Sequence, residues 1–270
     1  MANPISKTAY YTLGVRAWDA ELPKPACGDS FAKVFMNEDA HKIWEEFKDF
    51  KSPNASNAAR HAIIDSQVRE GIGVSPDSLV VIVGAGFDTR AFRIKGGRWI
   101  EVDEPAIINY KESKLPASKA PNRLTRIPIE FAKESLTEKL SPFATSGLVH
   151  IIIEGVLMYL THDERQSLIN ALQKMFPKQI VYCDLMRQSF FEKYSKKLYI
   201  KIRSLGASFA DLTEQPENLF LNNGYEAVSC TSIALYGSEH GNLPVPPFLI
   251  RYFLKTLRDG YSIRRFEYSK

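Results

Sequence analysis

The feature that most restricts the fold is a series of short apolar runs, each closed by residues that end a strand. The first run, Leu79–Val83, is rich in β-branched residues and stops at Gly84-Ala85-Gly86. A continuous apolar run bounded by glycine is typical of a strand buried on both faces of a parallel sheet. The sequence therefore predicts a buried strand here, and four similar candidates follow: Trp99–Asp103, Leu124–Ile129, Leu148–Ile153 and Gln179–Cys183.

Segments with helical spacing separate these runs: Ala91–Lys95, Glu104–Lys114, Glu134–Leu140 and Asp163–Met175. Two later strand candidates, Glu226–Ile233 and Tyr261–Tyr268, flank a helix predicted over Phe248–Arg258. Alternating strands and helices indicate right-handed crossovers. We predict an α/β fold with a doubly wound, mostly parallel sheet of seven strands.

Two helical segments lie outside this pattern. Residues 1–55 carry apolar residues at near-helical spacing, and residues 186–222 begin with an amphipathic helix over Phe190–Leu205. We expect both segments to pack together as a helical cap above the C-terminal edge of the sheet, where open α/β sheets bind ligands. Residues 56–185 would form the α/β core that binds the ligand, and residues 223–270 would complete it.

Bulk properties exclude several function classes. The net charge of +4 is mild and the Lys and Arg residues are scattered, unlike the basic stripe of a nucleic-acid-binding protein. The longest apolar run, Leu148–Leu160, contains Glu154 and is too short to span a bilayer. The first residues lack the apolar core of a signal peptide. Three cysteines without paired spacing indicate reduced thiols and no metal site. We expect a cytoplasmic protein with no membrane or nucleic-acid partner.

The turn after the first strand and the acid after the second indicate a nucleoside-binding site. Gly84 and Gly86 allow a sharp turn and a close approach of the backbone to a ligand. Asp103 ends the next strand, where a carboxylate can bind ribose hydroxyls.

The residues after the glycines bear on which nucleoside is bound. A dinucleotide site prefers a third glycine, but Thr89 stands at that position, and the Asp88 carboxylate would repel a pyrophosphate. Asp88 is compatible with S-adenosylmethionine, which carries a sulfonium and an ammonium but no phosphate. It is equally compatible with a purely structural helix cap.

Three blocks of sequence resemble the leucine carboxyl methyltransferase family: Gly84–Arg93, Glu101–Pro105 and Glu154–Leu160. The opening stretches 8–17 and 29–32 are similar to the bacterial and polyketide O-methyltransferase branch, and the resemblance extends to about Asp184. It implies a Rossmann-like methyltransferase fold and S-adenosyl-L-methionine as cofactor. It further implies that the region beyond Asp184 carries the choice of substrate.

The resemblance also implies a set of cofactor contacts. Arg60 matches an arginine that pairs with the cofactor's carboxylate, as a bidentate guanidinium can, although a surface salt bridge is the alternative. Glu130, where the family more often has Asp, matches the acid on the adenine amino group, and Phe131 matches the residue against the ring. Glu154 would meet the positively charged methionine part, unless an internal Arg or His is its partner. The expected cofactor-binding set is Arg60, Gly84, Ala85, Gly86, Asp88, Asp103, Glu130, Phe131 and Glu154.

The sequence says less about the molecule that accepts the methyl group. A carboxylate acceptor is ionised at neutral pH and needs no general base, whereas a phenol needs one. No clear base stands in the matched blocks, because His61, His162 and His240 are lone histidines. This favours a carboxylate of a small molecule, with a phenol as the alternative. Residues expected to position the acceptor are Tyr159, Arg16 and Arg187, whereas Arg203 is better explained as a solvated side chain. Tyr10, Tyr11, Tyr194 and Tyr199 would form an aromatic pocket or simply pack the cap.

Three other functions compete with this prediction. A nicotinamide-dependent oxidoreductase is disfavoured by the missing third glycine and by Asp88. A non-catalytic S-adenosylmethionine-binding protein would keep the same cofactor contacts. A protein C-terminal carboxyl methyltransferase is disfavoured by the likeness of the N-terminal stretch to the small-molecule branch. A homodimer is left open.

Overall fold

The computed structural model describes residues 4–270, with side chains from Lys7 onward. Seven strands form one sheet in the order β3-β2-β1-β4-β5-β7-β6. β7 runs antiparallel to β5 and β6, and the other pairs are parallel. The strands are β1 (Leu79–Val83), β2 (Arg98–Asp103), β3 (Arg123–Pro128), β4 (Val149–Ile153), β5 (Lys178–Met186), β6 (Glu226–Ser232) and β7 (Tyr261–Ser269). The predicted α/β class and seven-stranded, mostly parallel sheet are confirmed.

Helices flank the sheet and form the cap. They are α1 (Pro4–Asp19), α2 (Glu38–Phe47), α3 (Lys51–Val74), α4 (Arg90–Arg93), α5 (Pro105–Lys114), α6 (Leu136–Leu140), α7 (His162–Met175), α8 (Gln188–Phe190), α9 (Lys196–Ser204), α10 (Asn218–Leu221), α11 (Ile233–Glu239), α12 (Pro247–Tyr252) and α13 (Lys255–Asp259). Short 3-10 turns occur at Ala32–Phe35, Ala117–Lys119, Ser141–Phe143 and Leu157–Tyr159, and a π-helical turn at Phe191–Ser195 joins α8 to α9. None of the described helices has the length and apolar character needed to cross a membrane.

The central strand β1 is buried on both faces, as its apolar sequence predicts. Val81 and its alternate neighbours pack in a core cluster with Leu172 of α7. Val80 and Ile82 face the opposite way and pack in a second cluster with Ile64 of α3. Because every second residue of a strand points to the same face, this one strand contributes to both cores.

Several predicted boundaries were wrong. α3 runs without a break across the boundary placed between residues 55 and 56. The single helix predicted over Phe248–Arg258 is two helices, α12 and α13. Ile250, Leu254 and Leu257 nevertheless pack in one apolar cluster. The strand predicted over Glu226–Ile233 ends at Ser232, whose hydroxyl accepts the Leu235 N–H and caps α11, a helix that was not predicted.

The N-terminal helices and the insertion pack against each other. Tyr11 of α1, Trp44 of α2 and Ile202 of α9 share one apolar cluster. The Ala210 N–H also donates to the Met158 carbonyl, 2.9 Å away, and so fixes the insertion to the segment that follows β4. α1, α2 and residues 188–212 therefore pack together beside the carboxyl ends of the parallel strands and are here called the cap. The predicted insertion 186–222 is wrong at both ends, because Met186 belongs to β5 and α10 packs through Phe220 in the core cluster that contains Leu172.

Candidate active site

A cavity of about 960 Å³ lies between the cap and the carboxyl ends of the strands. Ligand pockets commonly measure about 300–1,000 Å³, so this cavity has room for a nucleoside-sized molecule and a second small molecule. Its floor, here called the donor half, contains residues that follow β1, β2 and β4: Gly84, Ala85, Gly86, Asp88, Asp103 and Glu154. Its roof, here called the cap half, contains residues of the cap and the last third of the chain: Tyr11, Met186, Phe190, Tyr194, Ser195, Leu198, Ile202, Phe209, Leu243 and Leu257.

The glycine turn adopts a backbone that other residues rarely reach. Gly84 and Gly86 have φ angles of 66° and 47°, in the left-handed region that favours glycine. A Cβ on Gly84 would lie 2.5 Å from Cγ2 of Val156, so a side chain there would also clash. The turn therefore presents bare backbone to the cavity.

Asp103 anchors this turn. Its carboxylate accepts the Gly86 N–H at 2.6 Å and the Glu104 N–H at 2.7 Å. Burial raises the pKa of Asp103 to about 6, despite these two hydrogen bonds. The acid thus joins the end of β2 to the turn after β1 and still borders the cavity.

Arg60 of α3 lies in the wall of the donor half. Its Nε contacts Glu154 at 3.1 Å, and its Nη1 contacts Asp184 at 3.2 Å and the Tyr261 hydroxyl at 2.8 Å. The Tyr261 hydroxyl in turn donates to Asp184 at 2.6 Å. None of these contacts uses Nη2, which lies against Gly155, a residue of the cavity wall.

A second buried arginine lies behind the cavity. Arg90 is fully buried and donates to Asp65 at 2.6 Å, to Glu154 at 2.7 Å and to Asp88. It also contacts Nδ1 of His61 at 2.8 Å. Burial alone would raise the pKa of Glu154, but its contacts with His61, Arg90 and Arg60 hold that pKa well below its usual range.

The buried acids and His61 could in principle hold a metal. Side-chain ligand atoms of His61, Asp88 and Glu154 come within 4.8 Å of one another. The Arg90 guanidinium contacts all three side chains, so the positive charge at this point already comes from the protein. This donor set does not fit a metal ion.

The cap half differs in its chemistry. The ten residues named for it include no carboxylate, histidine or lysine, whereas Glu104, Glu134, Asp163 and Glu164 line other parts of the cavity. Arg16, which borders the cavity, pairs with Asp29 at 3.1 Å and donates to the Phe87 carbonyl at 2.7 Å. Tyr159 lies between the two halves, and burial raises its pKa to about 12. The cap half therefore offers hydroxyl groups within an apolar wall.

This geometry matches a known family. The sequence profile of the leucine carboxyl methyltransferase family matches residues 9–173, more than half of the 270-residue chain. The chain belongs to this family. It is an S-adenosylmethionine-dependent methyltransferase.

Individual relatives agree with this assignment. The chain is 25% identical over 223 residues to the tetracenomycin polyketide synthesis O-methyltransferase TcmP of Streptomyces glaucescens, an alignment covering 80% of this chain and 77% of that protein. It is 35% identical over 178 residues to a Streptomyces avermitilis protein inferred to be an S-adenosyl-L-methionine-dependent methyltransferase, covering 60% and 62%. A crystal structure from Thermobifida fusca YX, inferred to be a methyltransferase, is similar in fold with a TM-score of 0.64 at 17% identity, covering 95% and 94%.

In this methyltransferase, most of the residues singled out from the sequence meet at the cavity. Those that line it are Arg16, Arg60, Gly84, Ala85, Gly86, Asp88, Asp103, Phe131, Glu154 and Tyr159. Asp88 is paired with Arg90 and also accepts its backbone N–H at 2.7 Å. The argument that Asp88 repels a phosphate is therefore weakened, because Arg90 neutralises its charge.

Two predicted positions are not brought to the cavity. Glu130 is exposed and pairs with Lys133 at 2.5 Å, while its neighbour Phe131 reaches the wall. Arg187 pairs with Glu217 at 2.9 Å and donates to the Glu214 carbonyl at 2.8 Å, outside the cavity lining. Arg187 therefore fastens the insertion to the end of β5 and is not placed to hold an acceptor.

The remaining candidates have structural surroundings. His61 is buried among the charged side chains around Arg90, whereas His162, Arg203 and His240 are exposed. The Tyr10 ring stacks on Phe87 with centroids 5.1 Å apart. In contrast, Tyr11 and Tyr194 border the cavity and Tyr199 packs behind them on Phe209.

Three residues of the site were missed from the sequence. Arg90 stands in the glycine block, but nothing local shows that it would gather three carboxylates. Asp184 is a polar residue near the carboxyl end of a predicted strand, which was a usable signal. Tyr261 reaches Asp184 only because β7 runs antiparallel to β5, and the sequence does not give this register.

Proposed function

We propose that this methyltransferase transfers the methyl group of S-adenosylmethionine to a carboxylate oxygen of a small, largely apolar molecule. The observation that carries the proposal is that no histidine or lysine is among the described residues lining the cavity, and that the residues named above for the cap half include no carboxylate. A carboxyl group has a pKa of about 4 and is ionised at neutral pH, whereas a phenol has a pKa of about 10. A phenol would need a general base at the site.

The residues of the donor half fit the methyl donor. The bare turn at Gly84 and Gly86 leaves space for close contact, and the Asp103 carboxylate can accept hydrogen bonds from ribose hydroxyls. Nη2 of Arg60 can donate to the carboxylate of the methionine part, and Glu154 can pair with its ammonium. Phe131, which lines the cavity, would pack against the adenine ring. When bound, the donor supplies an electrophilic methyl group.

The chain's own contribution to the reaction is alignment. An acceptor oxygen, a methyl carbon and a sulfur must lie in line, and positioning of this kind supplies about 7–11 kcal/mol. Tyr159 stands between the two halves, where its hydroxyl can orient the acceptor. The apolar side chains of the cap half exclude water from the attacking oxygen and fix the body of the acceptor.

A matched pair of acceptors tests the proposal. Purified protein is incubated with labelled S-adenosylmethionine and either 2-naphthoic acid or 2-naphthol, which share an apolar body. We expect label in a methyl ester of the acid, which mild alkali releases as methanol. Label in an alkali-stable ether of the naphthol, with none in the acid, would overturn the choice of a carboxylate and favour the phenol. Methylation of a peptide C-terminus but of neither probe would favour a protein acceptor.

A further inference from the structure

A π-helical turn interrupts the cap helix where that helix borders the cavity. α8 and α9 are continuous through Phe191–Ser195, whose backbone is π-helical. Such turns hold one extra residue, are rare, and often mark functional sites. This one lies in the region beyond the family match, which ends at residue 173.

The turn changes which side chains reach the cavity. In a regular α-helix, a step of four residues exceeds a full turn by about 40°. After the three steps from 190 to 194, 198 and 202, the last side chain would point about 120° away from the first. Here Phe190, Tyr194, Leu198 and Ile202 all line the cavity. The extra residue in the π-helical turn offsets this rotation of the side chains. It also brings Ser195 to the cavity wall beside Tyr194.

Two hydroxyl groups are thereby placed in an apolar wall without strong partners. Ser195 is 7% exposed, and the single hydrogen bond of its hydroxyl within the described chain is a contact of 4.0 Å to the sulfur of Met186. A thioether is a weak acceptor. The Tyr194 hydroxyl makes no hydrogen bond to any residue that the structure describes, although its ring packs on Phe190. Buried hydroxyls are normally hydrogen-bonded, so the buried Ser195 hydroxyl, with the half-buried Tyr194 hydroxyl beside it, is suited to a ligand group.

We propose that Tyr194 and Ser195 form a subsite that hydrogen-bonds an uncharged oxygen substituent, a hydroxyl or a carbonyl, on the acceptor. A hydroxyl side chain can both donate and accept, so it suits either group. A charged substituent does not fit, since the described lining of the cap half has no Lys or His and the cations at its border are ion-paired. The inference rests on the proposed function, because it assigns this half of the cavity to the acceptor.

Calorimetry with two acids tests the subsite. Both are titrated into protein saturated with S-adenosylhomocysteine: 2-naphthoic acid and 6-hydroxy-2-naphthoic acid, which differ by one hydroxyl. We expect the hydroxylated acid to bind about 5- to 10-fold more tightly, as one hydrogen bond provides. In the double variant Tyr194→Phe with Ser195→Ala, that preference should fall to less than about twofold. Equal binding of the two acids to the wild type, no binding of either, or a preference kept in the variant would overturn the proposal.

Matched controls separate this outcome from other failures. Tyr199→Phe with Ser204→Ala removes the same two hydroxyl types from the same helix, but neither residue lines the cavity. The control should keep the wild-type preference. Affinity for S-adenosylhomocysteine alone, measured first, should be the same in all three proteins. If the wild type fails to bind S-adenosylhomocysteine, the proposed function fails and not merely the subsite.

Thermal unfolding of Ser195→Ala without ligand gives a readout independent of any acceptor. A hydroxyl that bonds only to a ligand contributes nothing to the stability of the ligand-free protein. The Tm of the variant should therefore equal or exceed that of the wild type. A fall of more than about 3 °C would show that the hydroxyl stabilises the helix, and that would contradict the assignment.

Discussion

The two halves of the cavity differ in how their polar groups are used. In the donor half, Arg60 and Arg90 join Glu154, Asp88 and Asp184 in one network of ion pairs behind the wall. In the cap half, the wall is apolar, and the Ser195 hydroxyl has only a weak partner among the described residues. One side of the cavity is therefore held rigid by charge, and the other is shaped mainly by packing.

The two halves also differ in their relation to the family match, which covers residues 9–173. The network around Arg90 lies within residues matched by the family profile, apart from Asp184 and Tyr261. Most of the cap half comes from residues after 173. A preorganised charged half suits a ligand common to all members, whereas an apolar half can be reshaped by substitution with little effect on the fold.

Loss of Arg90 should have the largest effect. Arg90→Met leaves Asp65, Asp88 and Glu154 without their shared cation, and breaking one buried pair costs about 3–5 kcal/mol. We expect the free energy of unfolding, measured with urea, to fall by at least about 3 kcal/mol. Arg203→Met, which alters an exposed arginine of the cap, should change it by less than about 0.5 kcal/mol. Equal effects of the two substitutions would remove the contrast between the halves.

Loss of the Asp103 carboxylate should have the second-largest effect, and this effect is on cofactor binding. In the proposed site, Asp103→Asn removes the charged acceptor for two ribose hydroxyls, and hydrogen bonds to a charged group contribute about 1.5–3 kcal/mol each. We expect affinity for S-adenosylhomocysteine to drop by about 100-fold, as measured by calorimetry. Asp77→Asn, on the exposed turn before β1, is the matched control and should keep wild-type affinity. Unchanged binding in Asp103→Asn would rule out this acid as the ribose contact.

The pKa of Asp103 predicts a pH dependence of binding. Burial raises that pKa to about 6, so the carboxyl is protonated below this pH and can no longer accept two hydrogen bonds. Affinity for S-adenosylhomocysteine should therefore be nearly constant above pH 7 and fall by about tenfold between pH 7 and pH 5. Calorimetry from pH 5 to pH 8 checks this. The same fall in Asp103→Asn would assign the titration to another group.

A substitution confined to the cap half should have the smallest effect on binding of the methyl donor. Phe209→Ala removes a ring that packs on Tyr159 and Tyr199 with centroids 5.2 Å and 4.9 Å away. Losing this apolar contact should raise the KM for 2-naphthoic acid by about tenfold. The dissociation constant for S-adenosylhomocysteine should stay within twofold of the wild-type value. A larger loss of donor affinity than of acceptor affinity would show that the halves are not separable.

The sequence predicted the donor half better than the cap half, for a physical reason. Gly84, Gly86 and Asp103 are specified by local signals, because a glycine turn and an acid must end neighbouring parallel strands. Arg187 has no such signal: its pairing with Glu217 depends on how the insertion folds back on itself. Similarly, the apolar spacing of Phe190–Leu205 predicts a helix but not a π-helical turn within it, which requires knowledge of what the helix packs against.

The most direct test of the account is the pH dependence of methyl transfer in a single turnover. With protein in excess over labelled S-adenosylmethionine and saturating 2-naphthoic acid, the rate is followed from pH 7 to pH 9. A carboxylate acceptor in a cap half without a general base predicts a rate that is constant across this range. A rate that rises tenfold per pH unit, as deprotonation of the acceptor or of a protein base would give, would contradict it.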